Sequence, residues 1–266
     1  MLDRIKSFKK IDAHSHIGVF GSWSNVSITA EELIADMDEY NVEKAVISTF
    51  PIKESIEAVD KYPDRLIGAA WVNPMEKDAL DIIKDAVKNH GFKGIKLHPL
   101  SQAYLPNDEC VFQIAELAGE LDIPLMIHTG HPPFSLPWSV AQLADIYPDV
   151  KMVMIHMGHG NGMYVQSAID MAKKYPNLYL ETSGMPMHTK IKEAYEQVGA
   201  DRIMWGLDAP FHHPTVEMQR TIVSGLNDSQ LEDVFYKNAK KLLKITRLFW
   251  PQQGKLRLHS KEAVWR

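Results

Sequence analysis

The sequence predicts an α/β fold, a single (β/α)8 barrel. Three observations carry this. Eight short apolar runs alternate with stretches of helical period, several runs are apolar on both faces, and no glycine-rich phosphate loop follows the first. Strand, helix, strand in repeated order means parallel pairing through crossover helices. Strands apolar throughout are covered on both sides. Eight such units within 266 residues favour a barrel over an open, doubly wound sheet. The open sheet calls for a Gly-rich turn after strand one, where AHSHIGVFGSWS stands instead.

The elements follow in order. The strands are KIDAHSHIG (10–18), KAVISTF (44–50), LIGAAWVN (66–73), GIKLHP (94–99), PLMIHTG (124–130), KMVMIHMG (151–158), NLYLETSG (177–184) and RIMWGLDAP (202–210). TAEELIADMDEYN opens the first helix with a Thr cap and an acidic first turn. ESIEAVDKYP is shorter and weaker, and EKDALDIIKDAVKNHG stops at a glycine, as helices often do. NDECVFQIAELAGELD, SLPWSVAQLADIYP, GMYVQSAIDMAKKYP, KIKEAYEQVGAD and HPTVEMQRTIVSGLN repeat the style. Closing helices run from about 228, through DSQLEDVFYKNAKKLLKI, and a polar tail ends the chain. No low-complexity tract or linker divides it, so residues 1–266 read as one domain.

Composition narrows the classes. The chain is 45% hydrophobic and 24% charged, with a formal net charge of -5 and interspersed signs. Without a basic stripe, nucleic acid is excluded as a partner. The single cysteine, Cys110, excludes an intramolecular disulfide, fits a reducing compartment and sits in a helical pattern. MLDRIKSFKK lacks the apolar core of a signal peptide, and no apolar run is long enough for a membrane span. The expectation is a cytoplasmic protein without a membrane partner.

Chemistry gathers at the strand ends. In a strand, positions two apart share a face. Asp12, His14 and His16 are therefore expected on one face, with Ala13, Ser15 and Ile17 opposite. Two imidazoles side by side on a rigid ladder suit one transition-metal ion; the alternative is a pair of hydrogen-bonded strand histidines. Strand four ends in Lys96 and His98, strand five in His128, strand six in His156 and strand eight in Asp208. A barrel brings these ends to one rim. Each buried imidazole or carboxylate needs a partner, so packing alone does not account for the set. Such ligands suit a divalent metal, with Zn favoured for hydrolysis because it lowers the pKa of bound water. Asp208 is then a ligand that also accepts a proton, or else an acceptor for a ligand histidine. His131, His159, His212 and His213 sit on loops beyond these strands, whereas His90 and His259 face solvent. On strand seven either Glu181 with Ser183, or Thr182, points inward. Phe20, Trp23, Phe134, Trp138, Met185, Met187 and Phe211 suggest an aromatic-tolerant pocket or pin the loops.

The motifs DAHSHIG, GIKLHP, MIHTG, IHMGHG, WGLDAPFHHP and NAKKLLKI span residues 12–245. Together they resemble the amidohydrolase superfamily of metal-dependent hydrolases, in its compact amidohydrolase-related branch. The resemblance implies a TIM-type (β/α)8 barrel. It also implies metal-site roles for His14, His16, His128, His156 and Asp208, with Asp208 a candidate general base. In the branch with one metal, the position of His156 acts on substrate or water. Lys96 is similar to the strand-four lysine that some members carboxylate to bridge two metals; otherwise it is a neutral or ion-paired rim lysine. All ligands for two ions are present, which favours the two-ion site, with Lys96 among the ligands, over a one-ion site of His14, His16, His128 and Asp208.

The leading expectation is hydrolysis of a small-molecule amide, lactone or ester by metal-activated water, with Asp208 and His156 as catalytic residues. The alternative is metal-dependent, non-oxidative decarboxylation of an aromatic or unsaturated acid. A metal-binding scaffold without catalysis is a third reading. A homodimer is compatible with each.

Overall fold

The computed structural model describes residues 2–21 and 24–245. Eight parallel strands follow one another around the sheet in chain order. They are β1 (Lys10–Ser15), β2 (Val42–Ile47), β3 (Leu66–Trp71), β4 (Gly94–Leu97), β5 (Leu125–His128), β6 (Met152–Ile155), β7 (Leu178–Glu181) and β8 (Ile203–Met204). Eight helices alternate with them: α1 (Ala30–Glu39), α2 (Lys53–Lys61), α3 (Ala79–His90), α4 (Glu109–Leu121), α5 (Pro137–Ile146), α6 (Gly162–Lys174), α7 (His188–Val198) and α8 (Pro214–Ile222). The expected (β/α)8 barrel is present. Its local signals hold too: Thr29 and Glu32 form a complete capping box on α1, and Gly91 ends α3 at φ 66°. Among the described residues, no helix is long and apolar enough to cross a membrane.

Backbone hydrogen bonds complete the circle between the segment after β8 and β1. The Ala13 N–H donates to Trp205 O at 3.1 Å, Asp208 N–H to His14 O at 2.7 Å, and His16 N–H to Ala209 O at 2.7 Å. Inside the barrel, Ile11, Ala13, Val46, Ala69, Val153 and Met204 meet Ala239 and Leu242 of the closing helical segment (Asp228–Leu242). A larger apolar layer lies between strands and helices. One feature was not legible as structure: Gly18–Phe20 and Val26–Ile28 pair as a small antiparallel hairpin beyond β1. Trp23, His259 and the tail after Ile245 lie outside the described residues.

The expected phase of β1 needs correction. Its register is irregular between Asp12 and Ser15. Ile11 and Ala13 therefore face the barrel interior, while Asp12 lies on the helix side beside Leu33, Met37, Leu207 and Met218. There its carboxylate accepts the Leu207 N–H at 2.9 Å, the His14 N–H at 3.0 Å and the Ser15 hydroxyl at 2.5 Å. Ser15 Oγ in turn accepts the Ala209 N–H at 3.1 Å. The irregularity that turns Asp12 outward lets His14 and His16 turn inward.

The seam is also tight. A Cβ added at Gly206 would collide with Glu181 Oε1 and lie 3.2 Å from the His14 backbone nitrogen. Gly206→Ala overpacks a buried junction and should cost about 1–3 kcal/mol. Urea unfolding checks this: the midpoint should fall at constant m, whereas an unchanged midpoint would mean that the junction yields freely.

Candidate metal centre

His14, His16 and Asp208 each offer one ligand atom, and these atoms lie within 4.8 Å of one another. Asp208 Oδ1 sits 3.4 Å from His14 Nε2 and 3.4 Å from His16 Nε2. The His16 Nδ1–H donates to Ser48 O at 2.7 Å, which leaves the Nε2 lone pair for the centre. Asp208 has φ 58°, a left-handed conformation that Asp tolerates better than most residues. It turns the chain at the end of β8 and aims the carboxylate back at β1.

The protonation states suit a cation. Burial drives the His14 imidazole well below its ordinary value, so it is neutral. Burial alone would raise the Asp208 carboxyl, but the imidazoles of His156, His16 and His212 outweigh it and hold the carboxyl below its usual range. Neutral imidazoles and an ionised carboxylate are the donors a divalent metal requires.

The other strand ends surround this group without joining it. Lys96 Nζ lies 3.4 Å from His14 Nε2, and burial pushes its pKa down to about 7. His156, at φ 67°, is placed by β7: its Nδ1 lies 3.0 Å from both Ser183 O and Ser183 Oγ. A carbonyl only accepts, so this nitrogen carries the hydrogen. Glu181 accepts the N–H groups of His156 and Ser183 and the Ser183 hydroxyl, and burial raises its pKa to about 8. Glu181 with Ser183 is thus the inward phase of β7. His128 Nε2 lies 3.0 Å from His131 Nδ1, so binding a metal through that nitrogen would require it to leave His131. Among the described residues, His14, His16 and Asp208 form the one group of three His, Cys, Asp or Glu donors close enough to share an ion.

A cavity of about 550 Å³ opens above the group, lined by His16, His98, His128, His131, His156, His159, Asp208, Phe211 and His212. One wall is a run of nearly parallel rings. Trp71 stacks on His98 at 5.3 Å, His98 on His128 at 4.0 Å, and His128 on His131 at 5.1 Å. Phe20 and Phe211 pack at 4.9 Å beside His16.

Comparison with known proteins places this architecture. The amidohydrolase family pattern matches residues 11–245. The chain belongs to the amidohydrolase family. Curated relatives include gamma-resorcylate decarboxylase of Polaromonas sp. (strain JS666 / ATCC BAA-500), 26% identical over 72% of this chain and 74% of that one. The same enzyme of Rhizobium sp. (strain MTP-10005) is 23% identical over 71% and 73%. Among solved structures, 5-carboxyvanillate decarboxylase of Novosphingobium aromaticivorans, with manganese and 4-hydroxy-3-methoxy-5-nitrobenzoic acid, superposes with a TM-score of 0.74. It shares 18% identity, with 90% of this chain and 97% of that one covered. These relatives correct the expectation of hydrolysis, because those named are decarboxylases. The physical reason is that strand-end imidazoles and a carboxylate suit a metal ion but do not specify the bond that breaks.

In this member of the family, His131, His159 and His212 border the cavity, whereas His213 caps α8 by accepting the Thr215 N–H at 3.2 Å. His90 pairs with Asp60 at 2.9 Å. Of the loop apolar residues, Phe20 and Phe211 reach the site, Met185 is buried in the core, and Trp138 packs on Tyr164. Cys110 is a free, half-buried thiol on α4. Trp71 was missed, although it ends β3 as the histidines end their strands. Glu217 and Arg220, paired beneath His212, were also missed because they lie within an ordinary amphipathic helix.

His14→Ala and His16→Ala should each remove most bound metal while the barrel stays folded. Elemental analysis alongside circular dichroism checks this; full metal content in both variants would contradict the assignment.

Proposed function

We propose that this amidohydrolase is a metal-dependent, non-oxidative decarboxylase of a small hydroxylated aromatic acid, with one manganese ion. The observation that carries the reading is the relationship to gamma-resorcylate decarboxylases at 26% and 23% identity over nearly three-quarters of their length. Manganese in a structural neighbour supports the choice of ion over zinc. The cavity agrees: about 550 Å³ suits a single-ring substrate.

His14, His16 and Asp208 would hold the ion, and His128 would be the candidate for a fourth donor if its Nε2 left His131. The bound ion supplies positive charge that binds and orients the substrate's oxygens. The protein's own groups do the rest. His156, neutral and protonated at Nδ1, presents Nε2 as an acceptor for a substrate hydroxyl. His98 accepts the Ser101 N–H at Nδ1, and burial keeps it neutral, so its Nε2–H is a donor. The ionised Asp208 takes the phenol proton and returns it to the ring carbon that bears the carboxylate. Once that carbon is protonated, the bond to the carboxylate breaks, carbon dioxide leaves and the electron pair restores the aromatic ring as a phenolate. Solvent then protonates the phenolate.

The test is direct. Manganese-loaded protein given 2,6-dihydroxybenzoate should release carbon dioxide and 1,3-dihydroxybenzene. In D2O the product should carry one deuterium at the carbon that lost the carboxylate. Asp208→Asn should lower turnover by about 10²–10⁴-fold. Absence of carbon dioxide from any hydroxybenzoic acid, or full turnover by Asp208→Asn, would overturn the reading.

A further inference from the structure

We propose that His159 is a specificity-determining residue, whose ring reads a further hydroxyl on the substrate, on the part of the aromatic ring away from the carboxylate. The inference rests on the decarboxylase reading above and deepens it, because it names the substitution pattern the cavity takes.

The proposed reaction leaves His159 unused. It draws on His14, His16 and Asp208 at the ion and on His98 and His156 beside it. His159 lines the same cavity, on the loop between β6 and α6, three residues past His156. Its place is fixed from several directions. The His159 N–H donates to His156 O at 2.9 Å. Gly130, at φ 119° on the loop after β5, has room for no side chain, because a Cβ there would collide with the Gly158–His159 backbone. Against the ring itself stands Gly184, after β7, at φ 65°. A Cβ at Gly184 would lie 3.0 Å from His159 Nδ1 and 3.2 Å from Cε1. The ring centroid is 4.7 Å from that of His131 and 5.5 Å from that of His156. The loops after three successive strands therefore hold one half-buried imidazole in a single place.

Nδ1 is buried against Gly184 and finds no hydrogen-bond partner among the described residues. Nε2 is therefore the polar atom that the ring offers to the cavity. The groups at the strand ends take the acid end of the substrate and the hydroxyl beside it. A loop residue beyond them meets ring carbons farther from the carboxylate. A hydroxyl is the substituent that fits, because it both donates and accepts and so pairs with Nε2 whichever ring nitrogen carries the hydrogen. A second carboxylate does not fit: among the described residues, no lysine or arginine lines the cavity to balance its charge.

The probe is 2-nitrobenzene-1,3-diol, in which a nitro group replaces the carboxylate of 2,6-dihydroxybenzoate, so that nothing can be released. A further hydroxyl can be added to its ring at carbon 4 or at carbon 5. In calorimetric titrations of the manganese-loaded protein, one of these derivatives should bind about 3–10-fold more tightly than the diol, the worth of one net hydrogen bond. His159→Leu should abolish that gain. His159→Gln, which places a polar atom near the position of Nε2, should keep part of it. Manganese content should be equal in all three proteins, which separates the effect from damage to the metal site. If His159→Leu fails to fold, His159→Asn, too short to reach, should lose the gain in its place. Equal binding of all three compounds by the wild-type protein, or a gain that survives loss of the ring, would overturn this inference and leave decarboxylation standing. Discrimination among the compounds without release of carbon dioxide from any hydroxybenzoic acid would overturn the decarboxylase reading and support the subsite.

Discussion

The Asp12 carboxylate, buried between β1 and the segment after β8, holds the Leu207 and His14 N–H groups and the Ser15 hydroxyl at once. That junction ties the first strand to the segment after the last, and so brings together the donors they carry. His14 and His16 come from one side of it and Asp208 from the other. Three backbone bonds and the Ser15 hydroxyl lock the same stretch. The metal centre is thus a by-product of how the barrel closes. Burial raises the Asp12 pKa to about 7, which marks how completely the junction excludes water.

The same desolvation sets the chemistry above it. Burial keeps the imidazoles of His14, His98, His128 and His156 neutral, so each offers a lone pair or a single N–H, not a charge. Asp208 is the exception: its carboxyl is held below its usual range despite its burial. One anion among neutral donors attracts a cation. Beneath it, Lys96 and Glu181 are both buried and both pushed toward neutrality. Glu181 serves the backbone of β6 and β7, which is how the strand order reaches the orientation of His156.

The barrel was legible because alternation of apolar runs and helical periods is a property of the chain itself. The strand-end positions of His14, His16, His128, His156 and Asp208 followed from that alternation. The phase of β1 was not legible: simple alternation puts Asp12 with His14, and only the register irregularity at Asp12 separates them. Convergence across the chain was also hidden. Trp71 and His98 become neighbours through β3–β4 pairing, and His212 and Glu217 through the turn into α8. The reaction was the least legible part, because a metal site built on these donors serves either hydrolysis or decarboxylation.

Anomalous diffraction at the manganese edge, from crystals of the manganese-loaded protein, tests the central claim most directly. The account predicts one peak per chain, within bonding distance of His14, His16 and Asp208. A peak without Asp208, or two peaks bridged by Lys96, would contradict it.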